Sequence, residues 1–384
     1  MDQYNISITN TILDDYPLAY EVLKVAKILI SNPDEQLLYY QTLVKILLKL
    51  NYKKEGYKLC EKVITSRLNW DIKNEFINYQ SQFIDPLKNN YSLNLNCPTP
   101  EYYNVSSPSI LSRDDGYLCN LRLVNYHYQD GNYPVRQQNM PVNTINYMVN
   151  LDLNFNIQHM WEMNEVDDLQ IYPSYVCGME DVRLFGPNYF FCTRLDVNNN
   201  NVPKICLGIY EDECVIDMKI LDYKNMGTEK NWLPIYEYDR CKVIYSFEPL
   251  VIYDLNLSTG TLTPFLNEKL NNKDLSSFRG SSAPISYTLN GKNGHLMTIH
   301  QVYYHKLRKY LHRLVWLSDD FSILKYSKSF YFEKVGIEFN LGICIHERGI
   351  LFTYSVDDNH PKIILVDFDT ISNMLATNIK QYTL

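Results

Sequence analysis

The sequence predicts a mainly β protein: a five-bladed β-propeller preceded by a small α-helical, repeat-like domain. Three observations carry this. Up to residue 84, apolar residues recur at spacings of three and four, the period of a helix; past residue 93 they alternate with polar ones, the period of a strand. In that second part a short polar signature leads into an apolar strand, a tight turn and a returning strand, five times over. Four of these hairpin units recur about every fifty residues, with a longer gap after the first; hairpins at a period of that size mark one propeller blade per unit.

Residues 1–92 make the helical part. Pro17 stands near the first turn of PLAYEVLKVAKILIS, and DEQLLYYQTLVKILLKL, KEGYKLCEKVITSRL and NWDIKNEFINYQSQF follow, with short polar breaks such as NPDE and NYKK. Helices joined by such breaks pack as antiparallel pairs. Residues Leu37 to Trp70 resemble one tetratricopeptide repeat in their rhythm of bulky and small positions; a four-helix cap of another kind is the alternative. The pattern changes at NNYSLNLNCPTPEYYN, which reads as the linker, and residues 93–384 hold no long amphipathic helix.

The five units are SSPSIL with YLCNLRLVNY, GMEDVRLF with YFFCTRL, KNWLPIY with CKVIYSF, GSSAPISY with HLMTIHQVYY, and EFNLGICI with ILFTYSV. The first strand of a propeller blade lines the central channel, so the polar groups at its head point at the axis. Asp181, Lys230, Ser281 and Glu338, far apart in sequence, are therefore expected in one pocket.

Composition narrows the chemistry. The net charge is −8 and no stripe of Lys and Arg appears, which argues against nucleic acid as a partner. The longest apolar runs carry lysines and are too short to span a bilayer, and MDQYNISITN lacks the features of a signal peptide, so no membrane and a cytoplasmic setting are expected. Nine scattered cysteines with no CxxC pair read as reduced core thiols rather than a disulfide or zinc framework. The bias to Asn, Ile, Lys and Tyr suits an AT-rich genome such as that of a large DNA virus or a protist; for a virus the setting is host cytoplasm or virion.

The expected pocket combines carboxylates (Glu180, Asp181, Glu338, with Glu248 as a further candidate), cations (Arg122, Arg183, Lys230, Arg279), the polar Asn231, Ser281 and His300, and aromatics (Trp232, Tyr245, Tyr303, Tyr304). Aromatic faces beside carboxylates and hydroxyls suit a sugar, and a carboxylic acid can protonate a glycosidic oxygen. His300, His305 and His312 have spacings that share no strand face, so no metal is expected, and there is no GxSxG, Walker or dinucleotide loop. The serines of GSSAPI lack a His partner in a matching pattern and read as the head of a strand.

GMEDVRLF resembles the G-x-E-D-P-R signature of glycoside hydrolase family 130, the inverting β-mannoside phosphorylases and β-mannosidases, over roughly residues 100–384. FRGSSAPI and FNLGICIHERGILFTYSVDDN are similar to elements of related propellers. The resemblance implies a five-bladed fold, Asp181 as general acid acting through a sugar hydroxyl, Glu180 holding the head of the strand, Arg183 orienting the site, and Lys230 as a phosphate ligand; Arg122 is a weaker match. Two departures stand out. Val182 replaces the proline of the motif, and only Arg194 follows it where the phosphorylases carry a phosphate clamp.

The expectation is thus a carbohydrate-active enzyme acting on β-mannoside-like glycosides by inversion, through phosphorolysis, hydrolysis or glycosyl transfer. No cofactor is expected, although inorganic phosphate is a candidate co-substrate. A hydrolase would use Glu338 or Glu248 to activate water. The alternative from another class is a non-catalytic glycan-binding or scaffold propeller with its helices docking a protein partner.

Overall fold

The computed structural model describes residues 15–26, 33–64, 66, 68–95, 97–129, 132–137, 140–164, 169–221, 227–270, 274–303, 308–376 and the backbone of 382–383. Tyr304 and His305 lie outside the described residues. The chain divides into two compact units between Pro86 and Leu87.

The first unit consists, among the described residues, of four short helices: α1 Tyr16–Ala26, α2 Pro33–Lys49, α3 Lys53–Ile64 and α4 Trp70–Gln82. Consecutive helices pack on one another. Their apolar stripes meet in a core of Val44, Leu47, Cys60, Val63, Phe76 and Phe83. Asn69 caps α4 by accepting a hydrogen bond from the amide of Ile72 at 2.9 Å. Gly56 lies against the Phe83 ring, where an added Cβ would sit 2.1 Å from the ring. No helix among the described residues is long and apolar enough to cross a membrane.

The second unit is a five-bladed β-propeller. Blade 1 contains β2 Asn104–Arg113, β3 Gly116–Val124, β4 Val142–Asp152 and β5 Ile157–Glu162, with β6 Val176–Cys177 pairing in parallel to β4. Blade 2 contains β7 Glu180–Phe185, β8 Tyr189–Arg194, β9 Lys204–Glu211 and β10 Cys214–Ile220. Blade 3 contains β11 Leu233–Glu237, β12 Arg240–Phe247, β13 Leu250–Leu255 and β14 Leu262–Glu268. Blade 4 has its inner strand in two pieces, β15 Arg279–Gly280 and β16 Ile285–Ser286, followed by β17 Gly294–Tyr303, β18 Lys309–Ser318 and β19 Ile323–Tyr326, with β23 Tyr382–Thr383 at its outer edge. Blade 5 contains β20 Glu338–His346, β21 Gly349–Val356 and β22 His360–Val366. The five hairpin units read from the sequence are the inner two strands of the five blades.

Two features differ from the sequence expectation. The stretch read as a linker contains β1, Tyr91–Asn94, which pairs with β22 in register Tyr91–Leu365 to Asn94–Lys362 and supplies the fourth strand of blade 5. This strand covers the edge that the chain's own last blade leaves open. Its residues are mostly exposed, so it has no clean alternation to announce it. A short helix, α5 Phe368–Ala376, follows β22 and buries Ile371 and Leu375 against blades 4 and 5.

Each sheet is apolar on both faces because it has a neighbour on both sides. Five buried clusters result, one at each junction. Leu118 and Met148 meet Val182 and Phe190; Phe191 and Leu207 meet Trp232 and Val243; Ile244 and Ile252 meet Met297 and Val315; Leu296 and Trp316 meet Ile343 and Phe352; Cys344 and Ile363 meet Cys119 and Leu121. Burying each such side chain contributes about 1.5–3 kcal/mol, which explains why the ring closes.

Candidate functional site

The inner strands share one irregularity. Each is distorted where it begins, at one end of the channel. The ladder of β2 slips between Val105 and Pro108, that of β7 between Glu180 and Arg183, and that of β20 between Asn340 and Gly342. Blade 4 breaks between β15 and β16, and Asn231 just ahead of β11 has φ of 65°. Such bulges re-aim side chains. On β7 the bulge holds Asp181 at φ of 53°, a left-handed conformation that a residue without this support avoids. Gly178 before it has φ of 88° and lies so close to Thr144 that an added Cβ would be 2.3 Å from its carbonyl oxygen.

Arg122, on β3, is the hub. Its two terminal nitrogens donate to Glu180 Oε1 at 2.5 Å and to Asp181 Oδ1 at 3.1 Å. Lys230 Nζ stands 3.4 Å from the other oxygen of Glu180. Burial raises the pKa of Glu180, but the charges of Arg122 and Lys230 outweigh it and hold the carboxylate below its ordinary range. Glu180 is therefore a fixed negative link between blades 1 and 3.

Arg183 lies behind this pair, fully buried. It donates to the Ser281 carbonyl at 2.6 Å, to the Asn231 side chain at 2.9 Å and to the Asp181 carbonyl at 3.3 Å. Burial lowers its pKa to about 10, which leaves it a cation at neutral pH. The Ser281 hydroxyl lies 2.8 Å from His300 Nδ1. Burial, and then the nearby charges of His312, Arg183 and Arg279, keep His300 well below its ordinary pKa, so the ring is neutral. Residues from blades 1 to 4 are thus joined by direct contacts.

Blade 5 contributes a residue that the sequence reading missed. Asp358, in the turn after β21, lies within electrostatic reach of Arg122, Asp181, Glu180 and Arg308. Removal from water raises its pKa to about 6; Arg122 and Arg308 oppose the rise, and Asp181 and Glu180 add to it. Asn104 donates to its carbonyl at 3.0 Å, and its φ of 52° fixes the turn. The only sequence signal was the pair Asp357–Asp358 in SVDDN, which reads as an ordinary β-turn.

Several predicted site residues lie elsewhere. Glu338 is wholly buried, and its carboxylate accepts from the amides of Phe332, Glu333 and Lys334 at 2.7, 2.7 and 2.6 Å, so it fastens a loop instead of facing a ligand. Trp232 is 1% exposed and belongs to the cluster between blades 2 and 3, with Tyr245 against its outer face at 5.3 Å. Glu248 lies in the β12–β13 turn. The Tyr303 hydroxyl donates to Gln301 at 3.1 Å. Arg279 is exposed at the head of β15 beside His300. Arg194, the candidate phosphate clamp, is buried and pairs twice with Asp196 at 2.9 Å, and Asp196 in turn accepts from the Gly178 amide. It anchors the motif from behind.

No protein-family profile and no curated protein matches the chain. Among solved structures it is similar to the β-1,2-mannobiose phosphorylase of Listeria innocua, with a TM-score of 0.50 and 13% identity over 74% of this chain and 96% of that one. At that identity the likeness is one of fold. A glycosyl hydrolase from Bacteroides ovatus (TM-score 0.45, 10% identity, 69% of this chain and 84% of that one) and MPT-1, a GDP-Man-dependent mannosyltransferase from Leishmania mexicana (TM-score 0.45, 11% identity, 76% and 94%), are similar too, at scores too low to carry weight. What remains specific to this propeller is its end of converging charges: Glu180, Asp181 and Asp358 against Arg122, Lys230 and Arg308, with Arg183 buried beneath. Such an end, with carboxylates, hydroxyls and amides around one channel, can hold a polyhydroxylated ligand.

Proposed function

We propose that the protein is a carbohydrate-active enzyme that cleaves or forms a β-mannoside-like bond with inversion, Asp181 supplying the proton. One observation supports this above the others: the ED-x-R motif stands on a bulge that aims Asp181 into a cluster drawn from all five blades. In this reading Arg122 orients both motif carboxylates, Lys230 and Asn231 hold sugar hydroxyls, and Asp358 is a second carboxyl group whose raised pKa lets it exchange a proton near neutrality. The attacking group is water, phosphate or a sugar hydroxyl. The engagement of Arg194 by Asp196 weighs against phosphate.

The test is incubation with β-1,2-mannobiose and a panel of other β-linked oligosaccharides, with and without phosphate. Free mannose in both conditions gives a hydrolase, sugar 1-phosphate only with phosphate gives a phosphorylase, and products from a nucleotide-sugar donor give a transferase. Absence of all products would sink the enzyme reading. A second reading then stands, in which the propeller binds glycan without turnover and the helical unit docks a protein partner. It is favoured by the grip of Arg122 on Asp181 at 3.1 Å, which occupies one of the two oxygens a substrate would have to meet.

A further inference from the structure

At the opposite end of blades 3 and 4 three ligand-type side chains meet. Glu237 ends β11, His295 lies at the start of β17, and Asp319 follows β18. His295 is 3% exposed, and no hydrogen bond reaches either ring nitrogen among the described residues. Its Nδ1 stands 3.8 Å from Glu237 Oε1, and its Nε2 3.6 Å from Asp319 Oδ1. A mostly buried imidazole thus has a carboxylate just beyond hydrogen-bonding distance of each nitrogen, room that a shared partner would fill. We propose that Glu237, His295 and Asp319 bind one divalent transition-metal ion, zinc or manganese, which ties blade 3 to blade 4.

The dimensions suit it. One ligand atom from each residue lies within 4.8 Å of the others. Bonds of about 2.0–2.2 Å place two donors of one ion roughly 3–3.5 Å apart; Glu237 stands nearest Nδ1 and Asp319 nearest Nε2, so one carboxylate has to turn to bring the set onto one ring nitrogen. One imidazole and two carboxylates form a donor set that zinc and manganese accept, with water completing the shell. The ring is held in place by stacking on Phe321, 6.2 Å between centroids, and the Ser286 hydroxyl donates to Glu237 at 3.2 Å, the kind of outer contact that orients a ligating carboxylate. Burial lowers the His295 pKa although Glu237 and Asp319 pull it up, so the neutral ring offers its lone pair. The site is far from the candidate active site, and its role is structural.

The test uses the full chain after chelator treatment, titrated with Co2+, Zn2+ and Mn2+. The expected result is one ion per chain by calorimetry, a visible absorption band with Co2+, and a melting temperature raised by several degrees with Zn2+. Glu237→Gln and Asp319→Asn should each weaken binding by about tenfold or more. Both side chains are partly exposed, at 33% and 47%, so these variants fold even where His295→Ala does not. No binding, or binding that both variants keep unchanged, overturns the proposal. Neither outcome bears on glycoside turnover.

Discussion

The two ends of the propeller's inner strands are built differently. At one end the ladders slip, break or pass through left-handed residues, and the side chains there are charged and interlocked across blades. At the other end the same strands finish in short hairpin turns, such as those at Gly186–Asn188 and Tyr238–Asp239, with lighter contacts between blades: Arg113 donates to the Pro187 carbonyl, and Gly186 lies against the Tyr236 ring. Regular pairing makes the scaffold, and the departures from it place the chemistry. The distortion of the ladders at the first end is tolerated because the apolar junctions between blades lie along the whole strand.

Breaking the irregular end should cost most. Asp181→Asn is expected to lower turnover by roughly 10²–10⁴-fold while leaving the melting temperature close to native, as read by product assay and calorimetry together. Unchanged turnover would remove Asp181 from the mechanism. Next comes Gly178→Ala, which forces a Cβ against the Thr144 carbonyl at a φ of 88°. Denaturant unfolding should show a loss on the order of 2 kcal/mol or more, with the β7 motif displaced.

A smaller effect follows from Asp358. Its pKa is raised from 3.8 to about 6, so between those values the folded chain holds a proton that the unfolded chain has released. Its contribution to stability is therefore present at low pH and lost as pH rises through that window. Asp358→Asn should unfold at a higher denaturant midpoint than the native protein at pH 7, and the gap should close towards pH 4. A gap that is constant with pH would mean that Asp358 is ionised at its ordinary value. The smallest effect belongs to the regular end. Tyr238 is 95% exposed in the β11–β12 turn with φ of 49°, so Tyr238→Gly should stabilise by about 0.5–1 kcal/mol and leave turnover untouched.

The structure gathers some of the expected residues at one end of the channel and turns others away from it. Asp181, Lys230 and Ser281 were legible as polar residues near the head of a repeated strand, and Glu180 and Arg183 as their companions in the motif. Glu338 occupies the equivalent offset, yet its side chain turns to the loop at 332–334, where three amides wait for it. Trp232 follows Asn231 directly but falls on the opposite face and packs between blades. Alternation tells which residues share a face; it does not tell which face a bulge will leave them on.

What the sequence determined by itself is local. The helical period before residue 84, the five hairpins and their turns follow from patterning within a few residues of each position, where propensity and amphipathicity act. Only the tertiary structure decided that Tyr91–Asn94 completes the last blade and that Asp358 comes within electrostatic reach of Arg122 across the junction that closes the ring. Each of these depends on ring closure or on which neighbour reaches a buried charge first. The free energy of such contacts comes from desolvation and pairing between segments remote in the chain, and no local pattern encodes that.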